Sequence, residues 1–204
     1  MAKIAFSKSS LNKEKRSLKT FNRYLPALEL KRQQLMAERK KAELALVDIR
    51  NQMDDVEKIV RTQLPMLAQE DVPVENLVKV TNITIAQENI VGTKVPFVKV
   101  IDIQLTPYSD LVMPHWVDYL VELLQKMVRL KIERQVRELR YHCLDKATRT
   151  TSQRVNLFSK VLIPKTQQNI QKIQIYLSDQ DRAGVMNAKL SKDKVMAQEA
   201  RSSH

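Results

Sequence analysis

Glycine occurs only twice in 204 residues, and aromatic side chains make up 5% of the chain. Turns and large core anchors are therefore both scarce. A chain rich in Leu, Lys, Gln, Glu and Arg instead is suited to long uninterrupted helices. A single cysteine, Cys143, excludes an internal disulfide and fits a reducing compartment. No run approaches the roughly 18 apolar residues of a membrane span. The N-terminal stretch MAKIAFSKSS lacks the apolar block of a secretory signal. The expectation is a cytoplasmic protein with no direct membrane insertion.

Catalytic chemistry is missing as well. Two glycines cannot build a phosphate-binding loop, and neither G-x-x-x-x-G-K-[ST] nor G-x-G-x-x-G occurs. His115, His142 and His204 are scattered. His142 and Cys143 are neighbours, so on a helix they point about 100° apart and cannot share a metal without further ligands. Only Ser203 has a neighbouring His, His204, and no serine sits on a nucleophile elbow. No catalytic residue, cofactor or metal is expected, and Cys143 reads as an inert thiol on an apolar seam.

What is present is 43% hydrophobic residues, enough for a real core, and a net charge of +12. The charge is uneven. Residues 1–23 carry seven Lys/Arg against one Glu, and residues 151–204 carry nine against four, whereas residues 24–70 balance and residues 71–115 are slightly acidic.

Ser9 or Ser10 can cap a helix, after which apolar residues recur in alternating steps of three and four. From Leu18 the series runs through Phe21, Leu25, Leu28, Arg32, Leu35, Arg39, Ala42, Leu46, Ile49, Met53, Val56 and Val60 to Gln63 and Leu67; twelve of these fifteen positions are apolar. Such density over about seven heptads predicts a coiled-coil seam. A helix over 10–64 would be roughly 80 Å long. Pro26 should kink it without ending it, because the seam continues in phase. Arg32 and Arg39 fall on the seam, where stems pack and heads reach water or where the charges set the register or face an acidic partner.

Gln63-Leu64-Pro65 stops this helix. From Leu77 the period changes to two. β-branched residues dominate two runs, Val78, Val80, Ile83 and Ile85 before the segment Ile90-Val91-Gly92-Thr93-Lys94 and Val95 through Leu105 after it, which read as a β-hairpin with Gly92 at its turn. Two strands alone are marginal in water, so the hairpin should pack on a helix or a partner. Pro114 opens a second helix. Its apolar positions run Trp116, Leu120, Leu123, Met127 and Leu130, then shift phase in the manner of a stutter to Val136, Leu139, Cys143 and Ala147, and continue through Val155, Phe158, Val161, Ile170, Ile173 and Leu177. Pro164 is a second candidate bend.

The predicted fold is mainly α: a long antiparallel two-helix coiled coil with a β-hairpin insertion at the turn end. Its parts are a first helix over 1–68, a connector with the hairpin over 69–114, a second helix over 115–190 and a frayed tail over 191–204. The seam residues are Leu28, Leu35, Leu46, Ile49, Met53 and Val56 on the first helix, and Leu139, Cys143, Phe158 and Val161 on the second. Antiparallel pairing brings both basic chain ends to one tip.

The string Arg154-Val155-Asn156-Leu157-Phe158-Ser159-Lys160-Val161-Leu162-Ile163-Pro164-Lys165-Thr166, followed by Ile170 through Leu177, resembles the C-terminal helix of the D subunit of V-type rotary ATPases, in their bacterial branch. Asn89–Pro96 in the hairpin and Leu30–Leu35 in the first helix resemble the same family, and the likeness covers nearly the whole chain. The resemblance implies a non-catalytic central rotor stalk, peripheral on the inner membrane. Its coiled coil would enter the ring of A and B subunits. The hairpin end would bind the F subunit and dock on the adaptor subunit (C/d type) capping the membrane ring. Lys13, Arg16, Lys19, Arg23, Lys165 and Lys172 would then be the collar-facing basic tip. Pro26 departs from what the family leads one to expect.

Two other classes fit parts of the pattern. A coiled-coil stalk or tether of a secretion-type ATPase has no need of the hairpin. Nucleic-acid binding is permitted by charge, but no basic platform interleaved with aromatics and no compact recognition motif occurs. No nucleic-acid partner is expected.

Overall fold

The computed structural model describes residues 5–68, 77–107 and 113–202. Helix α1 spans Lys8–Gln63 and ends in a 3-10 turn over Pro65–Ala68. Strands β1 (Val78–Ile90) and β2 (Thr93–Leu105) form an antiparallel hairpin. Helix α2 (Trp116–Leu157) passes through a π-helical turn over Phe158–Leu162 into α3 (Ile163–Ser202). The expected long helices and the hairpin are all present. Two boundaries move: α1 starts at Lys8, where Ser7 Oγ accepts the Ser10 N–H at 3.1 Å, and α3 is helical through Ser202, past the expected end at residue 190.

The chain forms two compact units that cut across the helices, because antiparallel pairing groups residues distant in sequence. The first comprises residues 1–30 and 152–204, the second residues 31–151.

In the first unit the start of α1 packs beside α3. Phe21 meets Phe158 edge-on with ring centroids 5.5 Å apart, and Phe6 lies 5.0 Å from Tyr176. In the second unit, Gln63 Oε1 accepts the Tyr119 hydroxyl, Ala45 O accepts Arg137 at 3.1 Å and Asp145 accepts Arg39 at 3.0 Å. Partners on α1 thus fall in number as those on α2 rise.

Along α1 the positions read from the three–four spacing lie inward. Leu35, Ala42, Leu46, Ile49 and Val56 are buried, and Leu28 and Met53 are half-buried. Pro26 is exposed inside a helix that continues through it. Along α2 the expected seam needs correcting. Leu139 is 54% exposed and Val161 50%, Cys143 is half-buried, and the fully buried residue is its neighbour Leu144.

The reason is that α2 has no stutter at Leu130. Steps of three and four continue unbroken through Leu120, Leu123, Met127, Leu130, Arg134, Arg137, Tyr141, Leu144, Thr148, Thr151 and Val155, all buried or half-buried. Two arginines and a tyrosine occupy the stretch where the aliphatic pattern breaks off. The Nε atoms of Arg134, and of Arg32 and Arg39 on α1, are buried, as expected of long side chains that sink their stems and extend their heads. Arg39 does more than reach water, because its pair with Asp145 ties α1 to α2 and favours one register.

The phase break lies at the π-helical turn. Continuing the spacing from Val155 would reach Phe158, Leu162 and Lys165, yet the buried positions are Thr166, Ile170 and Ile173. The π turn, in which the Ile163 N–H donates to Phe158 O, inserts one residue and moves the seam by one. It falls where Pro164 has no N–H to donate and where its ring would crowd the carbonyl of Lys160. The hydroxyls of Thr148, Thr151 and Thr166, buried on the seam, donate to the carbonyls four residues earlier.

Gly184 lies inside α3, with open space where a Cβ would sit. Gly184→Ala is expected to favour the helix locally by about 0.5–1 kcal/mol. The check is slower hydrogen exchange over residues 180–190, with the rest of the chain unchanged.

Candidate functional site

Residues 1–30 and 152–204 hold sixteen Lys/Arg against six Asp/Glu, a formal +10; residues 31–151 hold nineteen against seventeen, a formal +2. All nine ion pairs among the described residues belong to the second unit. Lys13, Arg16, Lys19, Arg23, Lys165 and Lys172 are all exposed on the first unit. The first four follow one another at helical spacing and form a stripe along α1. The first unit is therefore a strongly positive surface in which no ion pair joins the described residues, a source of non-directional attraction to an acidic partner.

The same unit carries a second feature that sequence reading missed. Val185, Met186, Leu190, Val195 and Met196 on α3 are each more than half exposed. At 100° per residue they point to widely separated sides of the helix, so no single partner helix can cover them all. Polar residues between them (Asn187, Lys189, Ser191 and Lys192 among them) hid this arrangement behind the appearance of a polar tail.

In the second unit the hairpin base packs through Leu77 and Val78 on Val117 and Val121. Its tip packs through Ile90, Val91 and Val95 on Leu35, Ala42 and Leu144. The insertion starts at the turn end of the helices, as expected, but it folds back along them. Val121 to Leu144 is roughly 35 Å of helix, which a strand of about 43 Å can span.

Two register irregularities leave Thr81 and Lys99 without cross-strand partners. These bulges keep the pairs Ile85–Val98, Ile83–Ile101, Val80–Ile103 and Val78–Leu105 on one face of the ribbon. None of the eight is buried, and Ile85, Ile83, Val80 and Leu105 are each 40–50% exposed. Gly92 sits at the turn, as read from the sequence, with φ +78°.

Among the described residues there is no group of three His, Cys, Asp or Glu placed to hold a metal, and no helix is long and apolar enough to cross a membrane. The described residues thus offer paired helices, a basic first unit and an apolar ribbon face.

Similarity to known proteins shows the family. Residues 10–193 match the family model for the ATP synthase D subunit. The V-type ATP synthase D subunit of Borreliella burgdorferi is 36% identical over 196 residues, covering 96% of each chain. The subunit of the same name from Chlamydia pneumoniae is 32% identical over 203 residues, covering 97% of this chain and 96% of its own. That of Chlamydia muridarum is 32% identical over 201 residues, covering 95% and 97%. The chain belongs to the ATP synthase D-subunit family of rotary ATPases.

Proposed function

We propose that this chain is the non-catalytic central rotor stalk of a V-type ATPase or ATP synthase. It would carry torque between the catalytic A/B ring and the membrane rotor ring, and so couple ATP hydrolysis or synthesis to ion transport. The observation that carries this reading is the division of charge, with +10 on a unit in which no ion pair joins the described residues. A shaft turning inside a collar cannot be held by fixed interlocking contacts, since each step would then face a large barrier. A positive field is attracted to an acidic collar equally well at many angles. Apolar residues on several sides of α3 suit a helix enclosed by a ring.

The second unit would serve the opposite partners. Its ribbon face, Ile85, Ile83, Val80 and their cross-strand neighbours, offers the apolar area that the F subunit or the membrane-ring adaptor (C/d type) can cover. The chain would then sit at the cytoplasmic side of the membrane, held there by its partners.

Replacing Lys13, Arg16, Lys19 and Arg23 together by Glu is expected to weaken association with an A/B ring at least tenfold, about 1.4 kcal/mol. Raising salt should do the same to the unaltered chain. Titrating labelled chain into purified A/B ring checks both. Unchanged affinity in the fourfold variant would remove the electrostatic basis of the reading. Recovery of nucleic acid by a tagged chain in moderate salt, without A, B or F subunits, would favour a nucleic-acid-binding role instead.

A further inference from the structure

We propose that the outer edge of β1, over residues 83–89, is a strand-addition site. It would take an extended aliphatic segment of a neighbouring subunit as the third strand of the ribbon. That the donor is another subunit rests on the rotor reading, whereas the free edge does not.

The sheet has two strands and therefore two edges, and the edges differ. Ten of the thirteen β1 residues are exposed. β2 leans on α2, where Pro96, Phe97 and Val98 line a cleft with Val136 and Arg140. β1 is the outer strand.

Along an antiparallel pair every second residue turns its N–H and C=O away from the neighbouring strand. The two ends of the ribbon fix which residues these are. At the tip the Ile90–Thr93 pair closes a two-residue turn, and just outside the base the Thr106 N–H donates to Leu77 O at 3.0 Å. Counting back from Ile90, Glu88, Ala86, Thr84 and Asn82 point inward, so Asn89, Gln87, Ile85 and Ile83 point outward. Counting up from Leu77, with Thr81 as the extra residue of the lower bulge, gives the same alternation. The extra residue of the upper bulge is Lys99 on β2, so β1 runs regularly through residues 82–90.

Pro96 faces Gln87 and so stands at an outward position of β2, where its missing N–H breaks that edge. The outward positions of β1 over residues 83–89 carry neither a proline nor a charge, the usual guards of an exposed edge. Among the described residues no backbone hydrogen bond joins this edge to another element.

Covering the apolar face alone falls short. None of its eight residues is more than half exposed, so together they offer well under the roughly 800 Å² per partner of a stable interface. A strand beside β1 adds backbone hydrogen bonds, and its alternate aliphatic side chains extend the face next to Ile83 and Ile85.

The test reads backbone amide exchange, residue by residue, in the full-length chain alone and in its purified complex with the neighbouring subunits. In the chain alone the amides of Ile83, Ile85, Gln87 and Asn89 should exchange fast, and those of Ala86 and Glu88, bonded across the ribbon, slowly. In the complex the amides of Ile85 and Gln87 should slow at least a hundredfold. If they stay fast in a complex that forms, strand addition is overturned and the rotor reading stands. A chain that assembles with no A, B or F subunit takes down both. Slow outward amides in the chain alone, together with a concentration-dependent dimer, would assign the edge to a second copy and overturn the neighbouring subunit as donor.

Gln87→Pro removes one outward donor and none of the ribbon's own hydrogen bonds. In competition with the unaltered chain for assembly into the complex, it should be incorporated at least tenfold less. Gln87→Ala keeps the N–H, and Lys94→Pro removes a donor from the opposite edge; both should compete equally with the unaltered chain. Equal incorporation of Gln87→Pro, or an equal loss in either control, overturns the assignment to the β1 backbone. Should Gln87→Pro disturb the ribbon of the free chain, the exchange pattern of the unaltered chain decides alone.

Discussion

Replacing Leu46 and Ile49 together by Asp is expected to abolish the cooperative fold of residues 31–151. Both residues are buried, and Ile49 shares a cluster with Val56, Leu64, Leu120, Leu123 and Leu130 across the α1–α2 pairing. Losing a large aliphatic side chain from such a site costs about 2–5 kcal/mol. A carboxylate left in its place has no partner and adds its own desolvation cost. Two such changes consume most of the roughly 5–15 kcal/mol that holds a typical domain. Circular dichroism should show a large loss of helix and no cooperative thermal transition. Leu44 supplies the control: it lies on the same helix but is exposed, so Leu44→Asp should move stability by no more than about 0.5 kcal/mol. Unchanged melting in the double variant would mean that the helix pairing described above is wrong.

The second large effect follows from ending the chain after Asn156. The truncation removes the π turn and all of α3, and with them Phe158, which meets Phe21 of α1 edge-on, and the buried Ile170 and Ile173. The three apolar clusters of the second unit draw only on residues up to Ala147 and remain whole. The expected product is a chain that is still helical and cooperative over residues 31–151 and still binds the F subunit. Having lost the α3 portion of the basic unit, it should not couple hydrolysis to ion movement. Two assays on the reconstituted complex separate these parts: F binding by titration, and ion uptake into vesicles driven by ATP. Coupled uptake at the intact level by the truncated chain would contradict the assignment of the first unit to the catalytic ring.

The first helix is legible because apolar residues fill most positions at regular spacing, with only Arg32, Arg39 and the terminal Gln63 interrupting them. The second is harder to read. Arg134, Arg137 and Tyr141 hold three consecutive inward positions, and a hydropathy pattern does not register an arginine whose stem is buried and whose head leaves the seam. A seam traced through aliphatics alone therefore slips from Leu144 to Leu139 and Cys143. Val161 is misplaced for another reason. Pro164 is visible in the sequence, but the extra residue of the π turn before it is a response of the backbone, and no residue type marks it.

The hairpin shows the same division. Its strands and its glycine follow from composition. The backfolding onto Leu35 and Leu144, the positive φ at Val91 and the two bulges that gather eight apolar residues on one face depend on tertiary contacts. Of the candidate functional surface, the excess of Lys and Arg at both chain ends is plain from the sequence. That these charges belong to one unit requires the fold. The apolar residues around α3 escape a sequence reading because polar residues separate them and no single helix face collects all five.

The most direct measurement of the proposed role fixes the A/B ring to a surface and attaches a bead to this chain at the hairpin end of the complex. With ATP supplied, the bead should turn in one direction, in steps that stop when ATP is removed. A bead that stays still while the immobilised complex continues to hydrolyse ATP would contradict the rotor account.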